Sequence, residues 1–168
     1  MATVEGSRVK LFKQINIASE TLYRMVLFNN GTELLVSDEL GGLIHIYDLN
    51  GNQIDSINPE SALLQPLGLL VYKNENNEEE VYIGDYRQHK IFVFNSHFEL
   101  LRQFGDANIL KIPQFLEIDN ESKLLFVADT QNDEVTIWNV ENMKVCNSCF
   151  FFIDVSLNFF KFFYIQVC

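Results

Sequence analysis

The 168-residue chain predicts an all-β fold, a partial β-propeller of about three four-stranded antiparallel blades. Three observations carry that prediction. First, a unit of apolar run, aspartate, five-residue gap and second apolar run recurs three times, as LLVSD-ELGGL-IHIYD (34–48), VYIGD-YRQHK-IFVFN (81–95) and LFVAD-TQNDE-VTIWN (125–139). Second, the anchors Asp38, Asp85 and Asp129 stand 47 and then 44 residues apart, and the apolar residue that opens the second run stands six positions on each time, at Ile44, Ile91 and Val135. Third, the runs are short, β-branched and aromatic, and a unit of about 45 residues has room for four of them, which is the size of one propeller blade.

Each element follows in order. The first run of each copy has the composition of a buried strand. The second alternates, with Ile44 and Ile46 against His45 and Tyr47, and Ile91 and Val93 against Phe92 and Phe94, the period of a strand. In copy one Asn50-Gly51 predicts a hairpin turn with positive φ at both central positions, followed by a returning strand over 53–57. In copy two Ser96-His97 takes the turn and 99–104 returns. A further strand precedes each aspartate: Pro66 and Pro113 open matching stretches 47 residues apart, and 22–28 is the counterpart without proline. Proline suits a strand's first position, where no ladder donor is lost. Between Val71 and Val81 the stretch KNENNEEE is three residues longer than its counterpart and reads as an exposed loop without the ordered ligand spacing of a calcium site. The blades predicted are 20–57, 65–104 and 112–145, with 8–17 as a strand of a neighbouring blade and 146–168 as an atypical tail.

The repeats resemble NHL repeats, whose unit runs proline, apolar strand, apolar strand ending in Asp, then Asn-His-Arg-Ile. Asn132 stands at the motif's asparagine, three after Asp129, while His89, Lys90 and Ile91 stand at its histidine, basic and aliphatic positions after Asp85. Copy one carries Gly41-Gly42-Leu43 there instead, and no single copy carries the whole motif. Ile137-Trp138-Asn139 suggests a WD-repeat propeller, but neither Asn95 nor Asp48 follows a tryptophan, so the NHL reading is preferred. The resemblance covers roughly 9–145 and implies membership of a six-bladed ring.

The formal charge of −11 repels phosphate backbones and argues against nonspecific nucleic-acid binding; the same charge suits basic partners or simply a solvated rim. All three cysteines lie after the repeats, so no disulfide-stapled secreted scaffold is expected, and the polar start MATVEGSRVK lacks a secretory signal. The expected location is cytoplasmic. The tail holds seven phenylalanines in residues 146–168. Three readings stand for it: a membrane anchor, interrupted by Asp154, Asn158 and Lys161; a substitute strand on the open flank; and, preferred, translated noncoding sequence from a truncated gene model. Cys146-Asn-Ser-Cys149 has the spacing of half a zinc site but no second pair.

No catalytic constellation is expected. The resemblance extends to amidating lyases, which hold a metal near the propeller axis, but His45, His89 and His97 stand seven, four and twelve after their aspartates and are out of phase for convergence. No cofactor or metal is therefore assigned. Asp38, Asp85 and Asp129 read as structural anchors, each accepting backbone N–H groups of the connection that follows. The expected function is a non-enzymatic scaffold binding a protein or peptide. Alternatives are a module like those of tripartite-motif NHL proteins, serving a ubiquitin ligase or an RNA-binding repressor, or a fragment of a metal-dependent propeller lyase. The gap residues 39–43, 86–90 and 130–134 should gather on one rim by symmetry, and Tyr86, Arg87 and His89 are the contacts expected there. An open ring leaves two apolar flanks, so self-association to complete the propeller is a further expectation.

Overall fold

The computed structural model describes Gln14, Ile17 and residues 21–145. Among the described residues eleven strands follow one another, with a 3-10 turn (Pro59–Ser61) between the fourth and fifth. The first blade is β1 (Leu22–Phe28), β2 (Glu33–Asp38), β3 (Leu43–Asp48) and β4 (Gln53–Ile57), hydrogen-bonded in that order. The second is β5 (Pro66–Lys73), β6 (Glu79–Asp85), β7 (Lys90–Asn95) and β8 (Leu100–Phe104). The third holds β9 (Pro113–Asp119), β10 (Leu124–Asp129) and β11 (Glu134–Asn139), and a bridge from Trp138 to Val145 stands where a fourth strand is expected. The expected strand at 8–17 and the tail with its cysteines lie outside the described residues, apart from Gln14 and Ile17, which carry no strand.

Within each blade the register repeats. Asp38 faces Leu43, Asp85 faces Lys90 and Asp129 faces Glu134, so all three hairpins have the same length. The innermost strands line up side by side, β5 packing against both β1 and β9. The guanidinium of Arg24 on β1 reaches the ring of Phe115 on β9, 5.1 Å from its centroid, and so links the first and third blades.

The alternation in the sequence divides side chains between two cores. On β7, Phe92 and Phe94 join Leu35, Ile44 and Ile46 of the first blade, while Ile91 and Val93 join Leu125, Val127 and Trp138 of the third. A middle blade is therefore apolar on both faces, and all four of these β7 residues are buried. Radial stacking leaves no solvent face on the central strands of such a blade. Close approach near the axis depends on glycine: a Cβ on Gly84 would lie 2.2 Å from the Pro113 carbonyl oxygen, and one on Gly68 2.7 Å from the same atom.

Two local expectations are corrected. At Asn50-Gly51 only Gly51 has positive φ (+86°). The turn runs from Asp48, whose carbonyl accepts the Gly51 N–H, and the Asp48 carboxylate accepts the Asn52 N–H, so the hairpin is one residue longer than the two-residue form. Phe98 (φ 60°) and Met143 (φ 55°) take the equivalent left-handed position in the other blades. The long acidic loop also shrinks to residues 74–78. The strands run on into it because Tyr72 and Glu80 are buried, and Asn74 closes the turn by accepting the N–H groups of Asn76 and Glu78.

Candidate functional site

The hairpins 39–42, 86–89 and 130–133 meet the inter-blade linkers at one end of the molecule, and the aspartates tie them together. Asp85 is fully buried and accepts three backbone N–H groups: Leu64 at 2.7 Å, Gln65 at 3.0 Å and Gln88 at 3.0 Å. Asp129, also fully buried, accepts those of Lys111 at 2.8 Å and Ile112 at 2.6 Å. Asp38 accepts the Thr21 hydroxyl at 2.6 Å and the Gly41 N–H at 3.1 Å. Sequence reasoning placed the donors in the connection after each aspartate. For Asp85 and Asp129 most of them come instead from the linker entering the blade, because the strand end lies beside that linker and a buried carboxylate takes every N–H within reach.

A second set of bonds repeats the tie. The residue after each aspartate donates its N–H to a linker carbonyl: Glu39 to Thr21, Tyr86 to Gln65 and Thr130 to Ile112. Two residues on, the side-chain amides of Gln88 and Asn132 donate to Ala62 and Ile109 carbonyls, each lying two residues before the first linker donor. The fourth position after each aspartate is left-handed in all three blades: Gly42 (φ 63°), His89 (φ 57°) and Asp133 (φ 54°).

On this frame Arg87 is exposed, while Tyr86 and His89 are half-buried with their rings edge to face at 6.5 Å. The three expected contact residues thus share one hairpin. The ring of His89 also works inside the fold, its Nδ1–H donating to the Lys111 carbonyl at 2.9 Å. Sequence reasoning missed the apolar part of the rim. Leu40 is 67% exposed on the first hairpin, Leu64 54% on the linker that abuts it, and Ile109 is exposed on the next linker. Leu40 was visible as the one large apolar residue between Asp38 and the repeat's next strand; nothing local marks Leu64 or Ile109 as outward-facing.

The three histidines stay apart. His45 is buried on β3 and His97 is exposed in the turn after β7. Among the described residues no group of three His, Cys, Asp or Glu is arranged to hold a metal ion, and no helix is long and apolar enough to cross a membrane. At the opposite end, between the second and third blades, a groove of about 420 Å³ is lined in part by Tyr72, Glu80, Arg102 and Lys123. Arg102 bonds both oxygens of buried Glu80 and the Tyr82 hydroxyl, and burial pushes the Tyr82 phenol well above its ordinary value.

No protein-family model matches the chain, and no curated protein sequence does. Solved structures do. The chain is similar to hydrazine synthase from Kuenenia stuttgartiensis (TM-score 0.60, 13% identity, 86% of this chain and 38% of that one). It is similar to the WD40 repeats of RRP9 (TM-score 0.59, 13% identity, 77% and 38%). It is also similar to the dihydro-heme d1 dehydrogenase NirN (TM-score 0.56, 13% identity, 80% and 28%). The fold is that of a β-propeller segment. The chain spans less than two fifths of the length of these matched chains.

Proposed function

We propose that this chain is a propeller segment of the NHL-repeat kind whose hairpin rim docks a protein or peptide partner, with no chemistry required at that rim. The observation that carries the reading is the rim itself. Tyr86 and Arg87 project from a hairpin held by the bonds to buried Asp85, beside outward-facing Leu40, Leu64 and Ile109. Tyrosine and arginine on a stiff base are side chains enriched at interface hot spots, and the exposed leucines and isoleucine add apolar area around them. The similarity to a WD40-repeat propeller is consistent with a binding role and supports it at the level of fold. The NHL assignment rests on Asn132 bonding Asp129 at 2.8 Å, and on His89 and Lys90 at the motif's histidine and basic positions.

The test is affinity capture of a partner by the full chain, followed by titration calorimetry with Tyr86→Ala, Arg87→Ala and Leu64→Ala. Loss of tenfold or more in affinity for at least one variant, with an unchanged melting transition, is expected. Unchanged affinity in the triple variant overturns the rim as the docking surface.

A further inference from the structure

In the first blade, the end of β2, β3 and β4 bring together an aspartate, a histidine and a serine. His45 Nε2 lies 3.2 Å from Asp38 Oδ2, and His45 Nδ1 lies 2.6 Å from Ser56 Oγ. His45 and Ser56 are register partners across β3 and β4. Because the carboxylate can only accept, Nε2 carries the ring proton and Nδ1 is left as the acceptor of the serine O–H. Asp38 is held in place by the Thr21 hydroxyl and the Gly41 N–H on its other oxygen. This is the order nucleophile, base, orienting carboxylate that activates a hydroxyl for attack.

Two further observations set this trio apart from the scaffold. The second blade forms the same clamp without it: the register positions of His45 and Ser56 are occupied there by Phe92 and Gln103, and in the third blade Thr136 takes the place of the histidine. The repeat therefore folds without this hydrogen-bonded chain. Moreover, His45 and Asp38 are buried while Ser56, on the outermost strand, is only half-buried, so the base is shielded and the serine residue is partly open to solvent. Beside it the Gln53 side-chain amide donates to Ser56 Oγ at 2.5 Å, its own carbonyl taking the Tyr47 hydroxyl at 3.3 Å. That amide fixes the serine oxygen with a lone pair occupied on one side and its proton directed at His45 on the other.

We propose that Ser56 is an activated nucleophile that takes an acyl group from a small activated carboxylic ester, with His45 as general base and Asp38 as its positioning residue. Ser56 Oγ forms a bond to the ester carbonyl carbon as its proton passes to His45 Nδ1. The bond from that carbon to the alcohol oxygen then breaks, and the imidazolium returns the proton to the departing alkoxide. Water, deprotonated by the same nitrogen, attacks the acyl-serine, releasing the carboxylic acid and restoring the serine hydroxyl.

The experiment treats the full chain with p-nitrophenyl acetate and follows nitrophenolate release together with peptide mass mapping. Acetylation of Ser56 is expected to outrun that of Ser96, an exposed serine in the same molecule. Its rate should fall by about 100-fold or more in His45→Gln, the scale of general-base catalysis, and the adduct at that peptide should vanish in Ser56→Ala. Labelling of Ser56 no faster than Ser96 overturns the proposal without recourse to any variant. So does an unchanged rate in folded His45→Gln.

Discussion

Replacing Asp85 tests how the blades are joined. The carboxylate is fully buried and accepts N–H groups from Leu64 and Gln65 on the linker and from Gln88 on the hairpin. Hydrogen bonds to a charged group contribute about 1.5–3 kcal/mol each, and a buried donor left without a partner costs about 1–3 kcal/mol. Three such donors would sum to more than 4 kcal/mol, but the linker lies near the surface and water recovers part of the loss. Asp85→Ala is therefore expected to cost about 3–4 kcal/mol, a large part of the roughly 5–15 kcal/mol that holds a domain of this kind. Asp85→Asn keeps the shape and one acceptor oxygen but turns an NH2 toward N–H donors, for about 2–3 kcal/mol.

Urea unfolding read by tryptophan fluorescence measures this cleanly. Trp138 is the chain's one tryptophan, buried in the core between the second and third blades with its ring 4.8 Å from that of Phe104. Loss of the clamp on the 62–65 linker should lower the midpoint seen by a probe in the other inter-blade core, provided the blades unfold together. A change under about 1 kcal/mol in Asp85→Asn, with the denaturant slope unchanged, would refute the clamp as a stabilising device.

Three further outcomes are expected. Gly84→Ala places a methyl 2.2 Å from the Pro113 carbonyl oxygen, a backbone contact that moves only if two blades separate; it should cost about 3 kcal/mol by the same unfolding assay, and a neutral result would mean that the blades are less tightly apposed. Asp133→Gly removes a side chain from a left-handed position (φ 54°) that Gly42 already fills in the first blade; a gain of about 0.5 kcal/mol is expected, and a loss would show that the aspartate side chain has a role of its own. Hydrogen bonds from the Ser122 hydroxyl and N–H hold Asp119 below its ordinary value of 3.8. The unfolded chain thus binds this proton first, so the Asp119 contribution is whole above that value and is lost as pH falls through the lower folded one. Asp119→Asn should flatten the acid limb of the stability profile, and an identical limb would remove Asp119 from its causes.

The repeat was legible in the sequence because each blade must present the same strand ends to the same linkers. Asp38, Asp85 and Asp129 stand out because burying a carboxylate is costly unless backbone donors surround it. The alternation on β3 and β7 was legible because the two faces of a strand look onto different surroundings, which on β7 are two separate cores, and the proline openings because proline is tolerated where no ladder donor is lost. The partners of the aspartates were not legible. Leu64 and Gln65 meet Asp85 through their backbone, and every residue has an N–H, so side-chain identity carries no signal. The Asp38–His45–Ser56 chain was hidden because phase against the repeat tests for convergence on an axis, whereas these residues meet across β3 and β4 within one blade.

The same clamps decide how the rim can act. A hairpin that carries contact residues but floats must be ordered when a partner arrives, at a cost in binding free energy. Here that cost is met during folding. The Tyr86 N–H is bonded to Gln65, Gln88 is bonded through its backbone to Asp85 and through its side chain to Ala62, and His89 is tied to Lys111 on the following linker. Each hairpin is thereby coupled to the linker on one side and, for the second blade, on both. A partner that grips Tyr86 and Arg87 would bear on a surface joined to two blades. Its binding should accordingly raise the stability of the whole propeller segment, as expected for any ligand that binds only the folded chain.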